Sequence, residues 1–260
     1  MSATRLVVLL ALFASLLGGL ARAGGDGEPP PVELLPEEGD PEPAEPEPAE
    51  PKPDGPKLLT GDTFTVRILA ETIKLPGLAG FRPVRAEQPG VLEGLARNVP
   101  SGQEVLDALL PVEILDTGRG SPVRMHLIRT KTASKRMTID DEEFLELRTS
   151  IRKELGAELE AATHGKAARV GEPQVLEIFD ETNDSISVLV LTRVREGRRD
   201  VRSVYQAITT CLLKGKVLYL MTSSKAGDDD RDWVKAANRA WARKAIELNA
   251  AASAGGESTR

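Results

Sequence analysis

Residues 174–223 hold the feature that most restricts how this chain can fold. Four β-type runs, at 174–179, 185–195, 201–213 and 216–223, are separated by turn residues at Asn183, Gly197 and Gly215, which predicts an antiparallel meander. Successive side chains of a strand point to opposite faces, and here both sets are apolar. Ile186, Val188 and Val190 share one face while Leu189 and Leu191 share the other; Val217, Tyr219 and Met221 lie opposite Leu218 and Leu220. Such a sheet needs a layer on each side, so any fold that leaves one face in water is excluded.

Two helical patterns are available as cover. In residues 139–162, Phe144, Leu147, Ile151, Leu155 and Leu159 recur at intervals of three and four and form one apolar stripe. Thr138 is placed to cap this helix, Asp140, Asp141, Glu142 and Glu143 sit at the positive end of its dipole, and Gly165 follows its end. Residues 231–249 offer Trp233, Ala237, Ala240, Trp241 and Leu248 as a second buried side. Upstream, Phe64, Val66 and Ile68 alternate as in a half-buried strand, and residues 75–82 are broken by Pro76, Gly77 and Gly80 into an irregular turn. Residues 89–97 and 101–110 read as short helices, the second opened by the capping box Ser101-x-x-Glu104 and stopped by Pro111. Residues 112–115 and 122–130 read as strands. The expectation is an α+β domain, an antiparallel sheet with helices on both faces, in short an α/β/α sandwich. Aromatic residues are only 3% of the chain, so its core must rest on Val, Leu, Ile and Ala.

The ends of the chain follow a different grammar. Arg5 precedes a predominantly apolar run of fifteen residues, 6–20, and Ala21 and Ala23 stand three and one before a cut ahead of Gly24. This is the pattern of a cleavable signal peptide, residues 1–23, and its apolar run is shorter than the ~20 residues of a bilayer-spanning helix. No membrane span is therefore expected after cleavage, and no Cys follows the run to carry a lipid. Residues 24–57 hold eleven of the eighteen prolines and eleven acidic residues against two lysines. They cannot bury apolar surface and are expected to form a disordered, extended spacer of ~3.1 Å per residue. It serves as a tether or as a solubilising leader, the latter favoured because cleavage leaves no anchor. The net charge of −6 resides in this spacer, which leaves residues 58–250, the expected single domain, nearly neutral. Residues 251–260 are expected to be a disordered tail. Cys211 is the lone cysteine and lies in an apolar run, so it is expected to be buried and free.

The order of strand, Gly/Pro segment, strand, long helix, four-strand meander and terminal helix resembles the PsbP-like superfamily of small sandwiches. More closely, Leu213-Lys-Gly-Lys-Val-Leu-Tyr-Leu220, followed by acids, Trp233 and an Ala-rich helix ending in Glu247-Leu-Asn249, is similar to a group of exported bacterial proteins of uncharacterised function. Pro76-Gly-Leu-Ala-Gly-Phe-Arg-Pro83 is similar to the start of that group's domain. The resemblance covers most of residues 60–250 and implies the sandwich fold and export. It transfers no site residue, because these are packing motifs and fold does not imply function.

Chemistry-bearing motifs are sparse. His126 lies in a strand run and His164 at a helix end, and no H-E-x-x-H or C-x-x-C spacing is present. There is no G-x-S-x-G elbow, P-loop or G-x-G-x-x-G fingerprint. Asp228, Asp229, Asp230 and Asp232 form a carboxylate run whose oxygens suit a hard cation such as Ca²⁺, yet the run precedes a helix and so also has a capping role. Arg193, Arg195, Arg198, Arg199 and Arg202 against Glu196 and Asp200 give a hairpin tip with three net positive charges. Paired guanidinium forks there fit a phosphate, a carboxylate or an acidic protein patch, although charged hairpins also blunt sheet edges. A second basic loop, Arg129 to Arg136 with Lys131 and Lys135, is also present, its distance from the hairpin not fixed by the sequence. Export and the lack of interleaved aromatics argue against nucleic acid.

The expected function is an exported, non-catalytic binding or structural module, periplasmic or extracellular, engaging an unidentified envelope protein or anionic ligand. The alternative is an envelope enzyme using carboxylates or arginines without a recognisable motif. N-terminal sequencing of the protein recovered from its host's envelope or medium is expected to begin at Gly24; a chain retaining Met1 overturns the leader assignment.

Overall fold

The structure is a computed structural model that describes residues 58–85, 87–97, 99, 101–163, 172–196 and 200–254, with backbone alone at 160–163, 195–196, 200 and 251–254. The expected leader with Ala21, Ala23 and Gly24, the spacer, His164, Arg198 and Arg199 lie outside the described residues. The described chain runs β1 (Leu59–Ile68), β2 (Glu71–Leu78), β3 (Phe81–Pro83), α1 (Pro89–Ala96), β4 (Gln103–Pro111), α2 (Val112–Thr117), β5 (Arg124–Lys131), α3 (Asp141–Thr163), β6 (Pro173–Thr182), β7 (Ser185–Glu196), β8 (Asp200–Leu213), β9 (Lys216–Ser224) and α4 (Arg231–Ala254). Short 3-10 turns stand at Ser134–Arg136 and Asp228–Asp230. The fold is α+β.

The meander forms as its alternation requires, and β5, β4 and β3 extend it to a seven-stranded antiparallel sheet of order β3-β4-β5-β9-β8-β7-β6. The β8–β9 turn is two residues, Lys214 and Gly215, with φ of 51° and 71°. Two positive φ values in a two-residue loop make the tight turn whose twist matches the flanking strands. The Gly215 carbonyl accepts the Ile139 amide at 3.0 Å, which seats the start of α3 against the hairpin. α3 itself is capped by Asp140 rather than by Thr138. The Asp140 carboxylate accepts the Glu143 amide at 2.8 Å, and the Glu143 carboxylate accepts the Asp140 amide at 3.4 Å, a reciprocal capping box.

Parity sorts the sheet's side chains between two apolar clusters. Val217, Tyr219 and Met221 join Phe144, Leu147, Ile151 and Leu155 of α3. Leu218, Leu220 and Cys211 join Trp241, Ala242 and Ala245 of α4, together with Ile68, Ile73 and Leu75 of the β1–β2 hairpin. The buried stripe of α4 differs from the expected one: Val234, Ala237, Asn238, Trp241, Ala245 and Asn249 are buried, while Ala240 and Leu248 are half-buried. Asn249 explains the difference at its end. Its amide donates to the Lys74 carbonyl at 2.8 Å and accepts the Lys74 amide at 3.1 Å, so a polar side chain completes β2. α4 runs on to Ala254, past the expected domain boundary. No helix among the described residues is long and apolar enough to cross a membrane.

Three upstream expectations are corrected. Residues 101–110 form β4, not a helix: positions 105–110 are buried without a break, which a strand covered on both faces allows and a surface helix does not. Gly102 at φ +85° makes Ser101 part of a turn rather than a cap. Residues 112–115 are helical, within α2, and residues 71–78 form β2, which pairs with β1 as a separate two-stranded sheet.

Gly215 tests the seating of α3. A Cβ there would stand 2.7 Å from Thr138 Cγ2, and its φ of 71° strains any L side chain. Gly215→Ala is expected to lower stability by about 1–3 kcal/mol in urea unfolding. Gly80→Ala has comparable φ and open space around it, and is expected to cost less.

Candidate functional site

Strand register gathers several of the sequence's candidates at one end of the sheet. Arg124 opens β5 opposite Ser224, Tyr205 lies opposite Ser224 from the other side, and Phe81 opens β3 opposite Pro111. Past that line β7 and β8 continue as a two-stranded extension, from Arg193 opposite Ser203 to Glu196 opposite Asp200. The same end carries an open groove of about 450 Å³, lined by Phe81, Pro111, Ile114, Val123, Arg124 and Ala226 among others. Val123 is 50% exposed and presents its isopropyl group to the groove.

One wall of the groove is held rigidly. The Arg124 guanidinium donates to both carboxylate oxygens of Asp230, at 2.6 Å and 2.5 Å, and lies 4.3 Å over the Trp233 ring. Ser224 Oγ adds a third hydrogen bond to Asp230 at 2.5 Å. The hydrogen bond from Arg124 holds the Asp230 carboxyl below its ordinary range, against the opposing effect of burial. Asp228 accepts the Tyr205 hydroxyl at 2.6 Å, and burial together with this carboxylate raises the Tyr205 phenol. Two members of the acidic run are therefore committed to Arg124 and Tyr205, while Asp232 pairs with Lys235 at 3.2 Å and Asp229 is exposed. Among the described residues no group of three or more His, Cys, Asp or Glu converges as a metal site would need. The Ca²⁺ expectation for Asp228–Asp232 gains no geometry from this arrangement.

Behind the groove lies an aromatic box. Phe81 meets the His126 ring edge-on at 4.6 Å, and Trp241 and Trp233 stand at 5.4 Å and 6.0 Å from that ring. His126 is fully buried, bonded through Nδ1 to Thr222 Oγ1 at 2.9 Å, and burial brings its pKa down to about 3, so the ring is neutral. From Thr222 a buried polar chain continues: Asn238 Nδ2 donates to Thr222 Oγ1 at 3.3 Å, Thr209 Oγ1 donates to Asn238 Oδ1 at 2.5 Å, and Thr209 meets Ser187 at 2.7 Å. These bonds tie β5, β9, α4, β8 and β7 together beneath the site. Cys211 is buried, its thiol pushed up by burial, which leaves it an inert packing group.

Of the expected basic hairpin, Arg193 is exposed on β7, close enough to Tyr205 for its charge to act on that phenol. Arg195 is described by backbone only, and Arg198 and Arg199 lie outside the described residues. Tyr205, which Arg193 influences, is the residue whose hydroxyl donates to Asp228, so the described base of the hairpin is linked to the Asp228–Asp230 turn through that phenol. The second basic segment does not join it. Arg129 and Lys131 are strand residues buried toward the other end of β5, and Lys135 pairs with Glu104 at 2.7 Å. Sequence reasoning missed Arg124, Phe81 and Val123, because the partners Arg124 and Asp230 are 106 positions apart and no local pattern joins them.

The chain matches no protein-family model, and no curated protein matches it significantly.

The pairing of Arg124 with Asp230 sets a pH dependence. A carboxyl whose folded pKa is depressed contributes stability that is complete above its unfolded value, about pH 4, and lost as pH falls through the folded value. Asp230→Asn is expected to destabilise the protein by about 1–3 kcal/mol at pH 7, with the difference from wild type shrinking toward zero under stronger acid in denaturant titrations. A constant difference across that range would show the carboxylate charge to be immaterial.

Proposed function

We propose that the protein is an exported, non-catalytic binding module: a PsbP-like α/β/α sandwich, with α3 and α4 on opposite faces of the sheet, that engages an envelope protein through the loop end of the sheet. The observation that carries this reading is the groove itself. It is lined largely by apolar side chains and two prolines, and among the described residues its only charged groups are Glu113 and Arg124, whose fork is already taken by Asp230. Such a concavity offers apolar area and little hydrogen bonding, which suits the side chains of an extended apolar segment rather than a polar substrate. The rigid backing through His126, Thr222 and Asn238 supports the same reading, because a preformed surface loses little entropy on association. Arg193 beyond the groove adds a guanidinium fork for acids flanking such a segment.

A photo-crosslinking residue at Val123 is expected to capture one discrete partner in cells exporting the protein. The same residue at Leu145, 48% exposed on α3, is expected to capture none of it. Identical adducts from both positions, or no adduct from Val123, would overturn the groove as the docking surface.

A further inference from the structure

The interior under α3 holds two cations that the groove does not explain. Alternation along β5 places Leu127, Arg129 and Lys131 on the face that carries Val105 and Tyr219 of the neighbouring strands. Arg129 is 6% exposed and Lys131 is 0% exposed. The Arg129 Nη2 donates to the Met221 sulfur at 3.3 Å, and its Nε has no hydrogen-bond partner among the described residues. Lys131 Nζ has none among the described residues either, and it lies over the Tyr219 ring, 5.7 Å from its centre. Opposite Lys131, both amide atoms of Gln103 are buried and unpaired.

Lys216, in the same fold, shows how a buried ammonium is ordinarily satisfied. It is 7% exposed and donates to the Met137 carbonyl at 2.9 Å and the Lys135 carbonyl at 3.3 Å. Nor do nearby acids neutralise the pair. Glu104 is taken by Lys135, and Glu154 of α3 acts on Lys131 by charge alone, without a hydrogen bond. Glu158, one turn further on, has its carboxyl raised by burial and by the charge of Glu154. Burial, then Arg129, brings Lys131 down to about 7, whereas Arg129, lowered to about 10 by burial, keeps its charge at neutral pH. Tyr219 is raised by burial and remains a phenol. Among the described residues, Arg129 Nε and Lys131 Nζ are thus buried donors without a hydrogen-bond acceptor, although Gln103 Oε1 on the facing strand is itself unpaired, and buried donors left in that state are costly until an acceptor reaches them.

We propose that Arg129, Lys131 and Gln103 form an interior binding site for the carboxylate of a small organic acid with an apolar body. A carboxylate matches the guanidinium fork and accepts from the ammonium and the amide. The surrounding Val105, Leu127, Tyr219 and Met221 belong to the apolar cluster and suit hydrocarbon better than an inorganic anion, whose remaining oxygens would go unbonded. The site lies away from the groove and stands or falls without it.

Decanoate, decanol and inorganic phosphate separate the possibilities on the full mature protein. Decanoate at one hundred times its Kd is expected to raise Tm by about 5–10 °C, with decanol and phosphate giving little. Lys131→Met is expected to abolish that shift while leaving the ligand-free Tm equal or higher, because it removes an unpaired buried charge. Calorimetry on the wild type supplies a readout that needs no variant: at pH 8, decanoate binding is expected to take up a proton as Lys131 becomes charged, seen as a heat that varies with the buffer's ionisation enthalpy. Equal shifts from decanol, a shift from phosphate alone, no shift from decanoate, or a decanoate shift retained in Lys131→Met would each overturn the proposal.

Discussion

All nine residues of β9 are buried, and the rest of the molecule is arranged by that fact. A strand apolar on both faces must lie inside a sheet, so β5 and β8 flank it, and its alternate side chains enter two separate apolar clusters, one containing residues of α3 and the other residues of α4. The Lys214-Gly215 turn sets the register of β8 against β9, and its carbonyl bond to Ile139 fixes where α3 begins. Position then passes outward: α4 holds β2 through Asn249 and Trp241, whose indole donates to the Pro76 carbonyl at 3.1 Å, and the β1–β2 hairpin closes over the α4 cluster.

Polar groups inside this frame fall into two kinds. The chain from His126 through Thr222, Asn238 and Thr209 to Ser187 is bonded at each link among strands and helix, and such a network orders a core with few aromatic side chains. Salt bridges at the surface do a related task, with Glu177 and Asp180 of β6 receiving Lys235 and Arg243 of α4 at 3.1 Å and 2.6 Å. Arg129 and Lys131 are different in kind, since Arg129 Nε and Lys131 Nζ are buried with no hydrogen-bond partner among the described residues. The contrast with Lys216 shows that the fold has backbone carbonyls with which to satisfy a buried lysine, and that it does not use them at Lys131.

What was legible locally follows from interaction range. α3 was readable because Phe144, Leu147, Ile151 and Leu155 answer to a single helical period, and the meander because its turns and alternation are short-range signals. β4 was misread because Ser101, Glu104 and Pro111 obey the grammar of a helix, whereas unbroken burial from Val105 to Leu110 depends on neighbours that sequence does not name. The loop end behaved likewise. Its Asp run reads locally as a helix cap or a cation site, and its actual partners at Asp230 and Asp228, Arg124 and Tyr205, are distant in sequence.

The sequence by itself determined that the domain is α+β, that its sheet needs cover on both faces and that Cys211 is buried and unpaired, because composition, alternation and helical period act within a few residues. Tertiary structure alone decided which strands neighbour which, that Arg124 and Asp230 meet, that a groove opens beside Phe81 and Val123, and that Arg129 and Lys131 are buried strand residues rather than a basic loop. The reason is physical: burial and ion pairing are properties of volumes filled from distant parts of the chain, and each cation's partner is set by the order of strands in the sheet.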